Sequence, residues 1–274
     1  MWAFATLRRV RLAYDDSGSG PCVVLIHGHP FNRSLWQPQV AALEDDFRVL
    51  APDLRGFGES PVTPGVVTMR EYAADIEDLL DELAITGAAV VGLSMGGLVA
   101  MELAVTRPER YWAVGLVATT AEPPGPGDSA VRNQRADVTE RDGMGALIEY
   151  MHAGLYSPAC PAAVRARVDA MMSATQPAGA AAALRGRALR PDYRPLLTRL
   201  GLPFLVCAGT ADPWSNAAVT AEIAACLGDP ELVLIDGVGH LPNLEAEAEF
   251  NQALAAFLHA HAPGPAARRA RSAP

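Results

Sequence analysis

The sequence predicts an α/β fold in which helices cover both faces of a mostly parallel central sheet. Segments with the apolar pattern of strands alternate with helical segments through the first half of the chain, and the alternation returns near its end. The run Cys22–Ile26 is apolar at every position, which is typical of a strand buried on both faces of a parallel sheet. Such alternation favours parallel strands joined by helices that pack on the two faces.

Each predicted element has a local signal. A helix begins at Thr68 because Glu71, three residues later, completes a capping box, and apolar residues then recur at helical spacing. The predicted strand 47–51 ends at Pro52, because proline has no N–H to donate to a sheet. The predicted strands are 10–14, 22–26, 47–51, 88–93, 112–118, 203–208 and 232–235. The other predicted helices of this α/β pattern are 34–43, 95–106, 215–227 and 243–259.

The alternation breaks at a stretch rich in proline and glycine, residues 122–127. Helices are predicted beyond it at 144–155, 162–172 and 178–189, with no convincing strand among them. The sequence therefore predicts a core domain of residues 1–121 and 196–262 and a helical insertion of residues 122–195. Residues 263–274 are rich in proline and alanine, carry Arg268, Arg269 and Arg271, and are predicted to be a disordered tail.

Charge and composition exclude several classes of partner. The net charge of the 274 residues is −9, which repels phosphate backbones, so we expect no nucleic-acid partner. No apolar run reaches the ~18–20 residues of a membrane helix, and the first residues do not resemble a secretion signal. We therefore expect a cytoplasmic protein without a membrane span, while a homodimer stays open. The four cysteines lack metal-binding spacing and are expected to be reduced: Cys22, Cys160, Cys207 and Cys226.

The segment Gly92-Leu93-Ser94-Met95-Gly96 fits the pattern G-x-S-x-G and joins a predicted strand to a predicted helix. A sharp turn there lifts the serine clear of the sheet, and the flanking glycines let strand and helix approach closely. The helix N-terminus behind the serine favours developing negative charge. Ser94 is therefore the candidate nucleophile, and the alternative is an ordinary glycine-rich turn.

A serine nucleophile needs a base and a carboxylate that orients the base. His240 follows the last predicted strand in a glycine-rich segment, and Asp212 follows the strand before it. Because neighbouring parallel strands end at one edge of the sheet, we expect both side chains there. The chain order Ser94, Asp212, His240 suits this type of site. Glu122 follows the strand after the serine turn and is the rival acid.

The segment His27-Gly28-His29-Pro30 follows the buried run 22–26. We expect the backbone N–H groups of His29 and Met95 to form an oxyanion hole, whereas Pro30 has no N–H to offer. His27 is interpreted as a structural hydrogen-bonding residue, and the direction of the His29 side chain stays open. No third and fourth ligands accompany the two histidines, so no metal site is predicted.

Together these motifs resemble the α/β-hydrolase superfamily over nearly the whole chain. Residues 27–30 through Trp36 resemble its HGxP segment, residues 53–60 its D-x-R-G-x-G-x-S loop, and residues 92–97 its nucleophile elbow. The resemblance implies a helical cap inserted after the sixth strand, with substrate bound between cap and sheet. It also implies that residues 53–60 support the floor of the active site. Within the superfamily, the arylesterase, perhydrolase and enol-lactonase groups look most similar.

The resemblance implies acyl-transfer chemistry through an acyl-enzyme on Ser94, with no metal or organic cofactor. The expected substrate is a small-molecule acyl compound, an ester or lactone of a small to medium, mainly apolar metabolite. Two alternatives stay open: a non-hydrolytic enzyme of the fold (a lyase, cyclase or acyltransferase) and a slow-turnover ligand-binding protein. The expected substrate contacts are Trp36, Tyr150, Tyr156 and Trp214. The alternative is that these residues only pack the cap against the core.

Overall fold

A seven-stranded sheet organises residues 10–264, the part of the chain that the computed structural model describes. The strand order is β1-β3-β2-β4-β5-β6-β7, with β1 antiparallel to β3 and every other neighbouring pair parallel. The predicted α/β class and mostly parallel sheet are confirmed. The strands are β1 (Tyr14–Gly18), β2 (Cys22–Ile26), β3 (Arg48–Pro52), β4 (Ala88–Leu93), β5 (Tyr111–Val117), β6 (Phe204–Gly209) and β7 (Glu231–Ile235).

Helices cover both faces of this sheet. Val23 and Leu25 of β2 belong to one apolar cluster, whereas Val24 and Ile26 belong to a second cluster on the other face. The first cluster contains side chains of the helix Glu247–His261, and the second contains side chains of the helices Met69–Glu82 and Met95–Thr106. The α-helices of the core are α1 (Gln37–Leu43), α2 (Met69–Glu82), α3 (Met95–Thr106), α9 (Ala217–Ala225), α10 (Pro242–Glu245) and α11 (Glu247–His261). Short 3-10 turns occupy Arg33–Trp36 and Pro108–Arg110.

The start of α2 follows the sequence signal. The Thr68 hydroxyl accepts the backbone N–H of Glu71, and the Glu71 carboxylate accepts the backbone N–H of Thr68 at 2.7 Å. This reciprocal pair satisfies two N–H groups that have no partner within the helix. Tyr72, Ile76 and Leu80 are buried along one face of α2, so the predicted apolar face is the one that packs.

All the regular secondary structure between β5 and β6 is helical, as predicted. Its helices are α4 (Asp128–Asp142), α5 (Gly145–His152), α6 (Ala162–Ala174), α7 (Pro177–Arg187) and α8 (Arg194–Leu197). The prediction missed α4 because that helix buries only Ala136 and Thr139 and so has no apolar periodicity. The segment follows the fifth described strand rather than the sixth. The residue-by-residue prediction also placed five strands before the insertion.

The first strand lies four residues later than predicted. The apolar pattern suggested 10–14, but β1 spans Tyr14–Gly18 and contains Asp15, Asp16 and Ser17. β1 lies at the edge of the described sheet and pairs with β3. Half-exposed polar residues are tolerated at a sheet edge, so this strand forms through its backbone hydrogen bonds and shows no apolar pattern in its sequence. The expectation of a disordered tail with Arg268, Arg269 and Arg271 falls almost wholly outside the described residues.

Two further expectations can be compared with residues 10–264. All four cysteines are free thiols, and Cys22, Cys160 and Cys207 are buried. Burial raises the pKa of the Cys207 thiol to about 12, so this side chain behaves as an inert apolar group. No helix in the described part of the chain combines the length and apolarity that crossing a membrane requires.

Candidate active site

Ser94 occupies a sharp turn between β4 and α3. Its backbone has φ 55° and ψ −112°, a conformation that non-glycine residues rarely adopt. The close approach on both sides requires glycine: a Cβ at Gly92 would overlap the Gly96 carbonyl, and one at Gly96 would overlap the Ile26 carbonyl. The backbone N–H of Ser94 donates to the Val117 carbonyl at 2.8 Å, which ties the turn to β5. The chain therefore maintains a strained turn that presents a serine.

His240 and Asp212 form a buried pair. The imidazole Nδ1 lies 2.7 Å from Asp212 Oδ2, and the two residues are 4% and 1% exposed. Asp212 also accepts the backbone N–H of Trp214 at 2.8 Å and the hydroxyl of Ser215. Burial acts to raise the pKa of the Asp212 carboxyl, but His240 and these two donors outweigh burial and hold that pKa below its ordinary value. An ionised Asp212 keeps the imidazole proton on Nδ1.

Further contacts fix the position of His240. The Trp214 ring meets the imidazole edge-on, with 4.9 Å between ring centroids. The backbone N–H of His240 donates to the Leu155 carbonyl at 3.1 Å, so the inserted helical segment holds the loop that carries the base. The rival acid, Glu122, pairs instead with Arg194 at 3.1 Å. Asp212 is thus the carboxylate that contacts the imidazole.

A cavity of about 410 Å³ lies between the sheet edge and the inserted segment. Ser94 and His240 both line it, and so do His29, Tyr150 and Trp214 from the predicted set. A volume of this size is typical of small-molecule sites. The structure therefore brings the candidate nucleophile and base to one cavity.

Two expected substrate contacts lie elsewhere. Trp36 is fully buried in the core and packs against Phe250, with 6.2 Å between ring centroids. The hydroxyl of Tyr156 donates to Asp169 at 2.7 Å, within the inserted segment. Neither residue lines the cavity. Each aromatic ring packs against other parts of the protein instead, which is the alternative that the sequence analysis left open.

His29 lines the cavity, and its imidazole contacts α7 of the inserted segment. Its Nε2 lies 3.1 Å from the Ala180 carbonyl, while Nδ1 is buried and has no hydrogen-bond partner among residues 10–264. Burial and the guanidinium of Arg187 hold the pKa of the imidazole well below its usual value. The ring is therefore neutral, with Nε2–H donating to Ala180 and Nδ1 left as an acceptor.

His29 and Met95 are the predicted donors of an oxyanion hole, and that role stays a prediction. Met95 is the first residue of α3, and the N–H groups of a first helical turn have no partner within the helix. His27 is structural, as predicted: its Nε2 accepts the N–H of Leu54 at 3.0 Å, and Nδ1 lies 2.8 Å from the Gly28 carbonyl. Hydrogen bonds within the described residues thus fix the loop that carries His29.

The loop of residues 53–60 braces this region. The Asp53 carboxylate accepts the backbone N–H groups of Arg33 at 2.7 Å and Glu59 at 2.9 Å. The Ser60 hydroxyl donates to the Asp53 carbonyl at 2.7 Å. The edge of the Phe57 ring contacts His29, with 5.8 Å between centroids. The loop therefore packs against the segment that carries His27 and His29, and its role as the floor of an active site stays an expectation.

The sequence interpretation missed four arginines of the cavity wall: Arg132, Arg135, Arg187 and Arg190. The first two belong to α4, the helix that was not predicted, and the others lie at the end of α7 and just beyond it. Arg132 and Arg135 are three residues apart and so lie on one face of α4, whereas Arg190 lies three residues beyond the end of α7. The three-residue spacing is the sequence signal that could have drawn attention to these arginines, but it belongs to no recognised motif. The wall is more polar than the mainly apolar pocket expected from the sequence.

The residues described offer no obvious metal site. Among residues 10–264, no group of three or more His, Cys, Asp or Glu side chains is arranged to hold a metal ion. The site consists instead of a serine, an imidazole–carboxylate pair and a helix N-terminus at one cavity. Enzymes that attack a carbonyl with a serine use groups of these kinds.

Comparison with known proteins agrees with this geometry. A model of the alpha/beta hydrolase family matches residues 23–253. The chain is 30% identical to 3-oxoadipate enol-lactonase 1 of Acinetobacter baylyi, over 88% of this chain and 89% of that protein.

Two solved structures are similar over nearly their whole length. A thermophilic esterase from Thermogutta terrifontis, described with malate bound, superposes with a TM-score of 0.92 at 36% identity, covering 94% of this chain and 97% of that one. The enol-lactonase from Burkholderia xenovorans LB400 superposes with a TM-score of 0.84 at 29% identity, covering 94% of this chain and 100% of that one.

Proposed function

Since this chain belongs to the alpha/beta hydrolase family, we propose that it is a serine hydrolase that cleaves a carboxylic ester or lactone of a small molecule. Relatives described as an esterase and as enol-lactonases support this reaction class. The observation that carries the proposal is the shared cavity: Ser94 and His240 both line it, and His240 is held by a buried Asp212.

In the proposed reaction, His240 takes the Ser94 hydroxyl proton through Nε2, because Asp212 holds the proton on Nδ1. The Ser94 oxygen attacks the substrate carbonyl, and the imidazolium then returns the proton to the departing alkoxide. Water, deprotonated by His240, cleaves the acyl-enzyme, which releases a carboxylic acid and regenerates Ser94. For a lactone the departing alkoxide stays attached to the acyl chain.

We assign the oxyanion hole to the backbone N–H groups of His29 and Met95. The strained turn at Ser94 and the N-terminus of α3 favour negative charge beside the nucleophile. The neutral ring of His29 leaves the donor role to its backbone.

We also propose that residues 122–195 act as a cap over a core of residues 1–121 and 196–262. Four cavity-lining arginines and Tyr150 come from the inserted segment, whereas Ser94 and His240 come from the core loops. Substrate bound in the cavity would therefore contact both parts, so changes in the insertion should alter selectivity more than the chemical step.

Turnover of a panel of p-nitrophenyl esters and lactones tests the proposal. Wild type is expected to turn over many times, and Ser94→Ala to lose at least about 10³-fold in kcat with an unchanged circular dichroism spectrum. Ser173→Ala is the matched control, because Ser173 is an exposed serine on α6 that does not line the cavity. Activity retained in pure Ser94→Ala protein would refute the assignment.

A further inference from the structure

The wall of the cavity that comes from the inserted segment is strongly basic. Arg132 and Arg135 of α4 face the same space as Arg187 and Arg190 from the end of α7. This concentration contrasts with the whole chain, whose net charge is −9. Positive charge is therefore gathered at one place in an otherwise acidic protein.

These guanidinium groups differ from the buried arginines Arg55 and Arg110 because they have no carboxylate partner among the described residues. Within residues 10–264, no ion pair is found at Arg132, Arg187 or Arg190, whereas Arg55 and Arg110 each pair with acids. The Nε atoms of Arg132 and Arg187 are buried and make no hydrogen bond to the described residues. Donors left in this state cost free energy unless a ligand uses them.

Two acids, Glu122 and Asp128, line the cavity beside the four arginines and offset their charge only in part. Glu122 is engaged by Arg194 at 3.1 Å. Asp128 is exposed, and its Oδ2 accepts the backbone N–H of Gly125 at 3.1 Å. The interior of the wall thus keeps a net positive charge.

Other contacts hold the arginines in place. Arg190 donates from Nε to the Glu122 carbonyl at 2.8 Å and from Nη1 to the Arg187 carbonyl at 3.1 Å. The Arg135 guanidinium lies 3.4 Å from the centre of the Tyr150 ring. Burial, together with the repulsion of Arg132 and Arg190, lowers the pKa of Arg187 to about 9. At neutral pH the cluster is still cationic and is preorganised for an anion.

We propose that the ester or lactone substrate carries a free carboxylate, which Arg132 and Arg187 bind while Ser94 attacks its carbonyl. Guanidinium groups fit a carboxylate through two parallel hydrogen bonds, which fixes orientation as well as charge. The inference rests on the proposed hydrolase function and narrows its substrate to acidic acyl compounds. Hydrolysis of a half ester with water then yields an alcohol and a dicarboxylate, and hydrolysis of an acidic lactone yields a hydroxy diacid.

A matched substrate pair tests the carboxylate. The mono-p-nitrophenyl ester of glutaric acid and p-nitrophenyl pentanoate have the same chain length and differ in a terminal carboxylate. We expect wild type to favour the glutarate ester, and Arg187→Met to lower the ratio of the two kcat/KM values by about 10- to 100-fold. Arg141→Met, which removes an exposed arginine of α4, should leave the ratio unchanged. If neither Arg187→Met nor Arg132→Met lowered the ratio of the two kcat/KM values, the proposal would be overturned.

Thermal stability distinguishes a binding role from a structural one. Without ligand, Arg187→Met should raise the Tm by about 2–4 °C, because it replaces an unpaired buried charge with an apolar chain. A structural role predicts a lower Tm instead. Added glutarate should raise the Tm of wild type but not of Arg187→Met. An equal Arg187-dependent shift with inorganic phosphate would contradict a carboxylate site in favour of a phosphate site.

The two proposals can fail separately. If neither ester is hydrolysed but glutarate still stabilises wild type through Arg187, the anion site stands and the hydrolase assignment falls. If pentanoate is hydrolysed through Ser94 while glutarate neither binds nor accelerates turnover, the hydrolase assignment stands and the carboxylate site falls.

Discussion

The imidazole Nδ1 of His240 lies 2.7 Å from Oδ2 of Asp212, and both side chains are almost fully buried. The two residues follow the neighbouring strands β6 and β7, whose pairing brings their loops together. Asp212 gains further donors from Trp214 and Ser215. The pair is therefore held in place before any ligand arrives.

Replacing Asp212 with Asn should preserve the side-chain volume and remove the charge that orients His240. The amide can donate to Nδ1, which then favours the tautomer with the proton on Nε2. We expect kcat to fall by about 10³- to 10⁴-fold. Steady-state kinetics with a p-nitrophenyl ester would measure this. Glu122→Gln is the matched control, because Glu122 is the rival acid, and a comparable loss of kcat in Glu122→Gln would contradict the role of Asp212.

The same substitution should change how stability depends on pH. Because the pKa of Asp212 is held below its ordinary value in the fold, its ionised form stabilises the protein at pH above about 4. That contribution is lost as pH falls through the folded-state pKa. The Tm difference between wild type and Asp212→Asn should therefore narrow as pH is lowered from 5 towards 3. A constant difference across this range would show that Asp212 makes no charge-dependent contribution.

The buried ion pair of Arg55 and Asp75 should matter for stability. Arg55 Nε donates to Asp75 Oδ2 at 2.6 Å, a second bond joins Nη2 to Oδ1, and both side chains are buried. Arg55→Met leaves a buried carboxylate unpaired and should lower the free energy of unfolding by ~3–5 kcal/mol. The double variant Arg55→Met/Asp75→Leu should recover most of that loss in urea unfolding. A double variant as unstable as the single one would contradict this account.

The sequence predicted those features that have short-range causes. The turn at Ser94 follows from glycines that the close approach of β4, α3 and β2 requires, and the start of α2 follows from Thr68 and Glu71. The positions of Asp212 and His240 followed from the rule that parallel strands end at one sheet edge. These signals depend on neighbours in the chain or on topology.

The missed features depend on long-range packing. Helix α4 has few buried residues, so no periodic apolar pattern marked it, and its arginines could not be placed at the cavity. Trp36 and Tyr156 were expected near the substrate because aromatic residues often line pockets. The structure instead buries the first against Phe250 and bonds the second to Asp169. The polarity of the pocket follows from the packing of α4 on α7, which the sequence does not encode locally.

Intact-mass spectrometry after treatment with a fluorophosphonate tests the central claim most directly. The account predicts a single adduct on wild type that maps to Ser94, is absent from Ser94→Ala and persists in Ser173→Ala. Asp212→Asn should react far more slowly. A folded wild-type protein that forms no adduct, or one that maps to another residue, would contradict the assignment of Ser94 as an activated nucleophile.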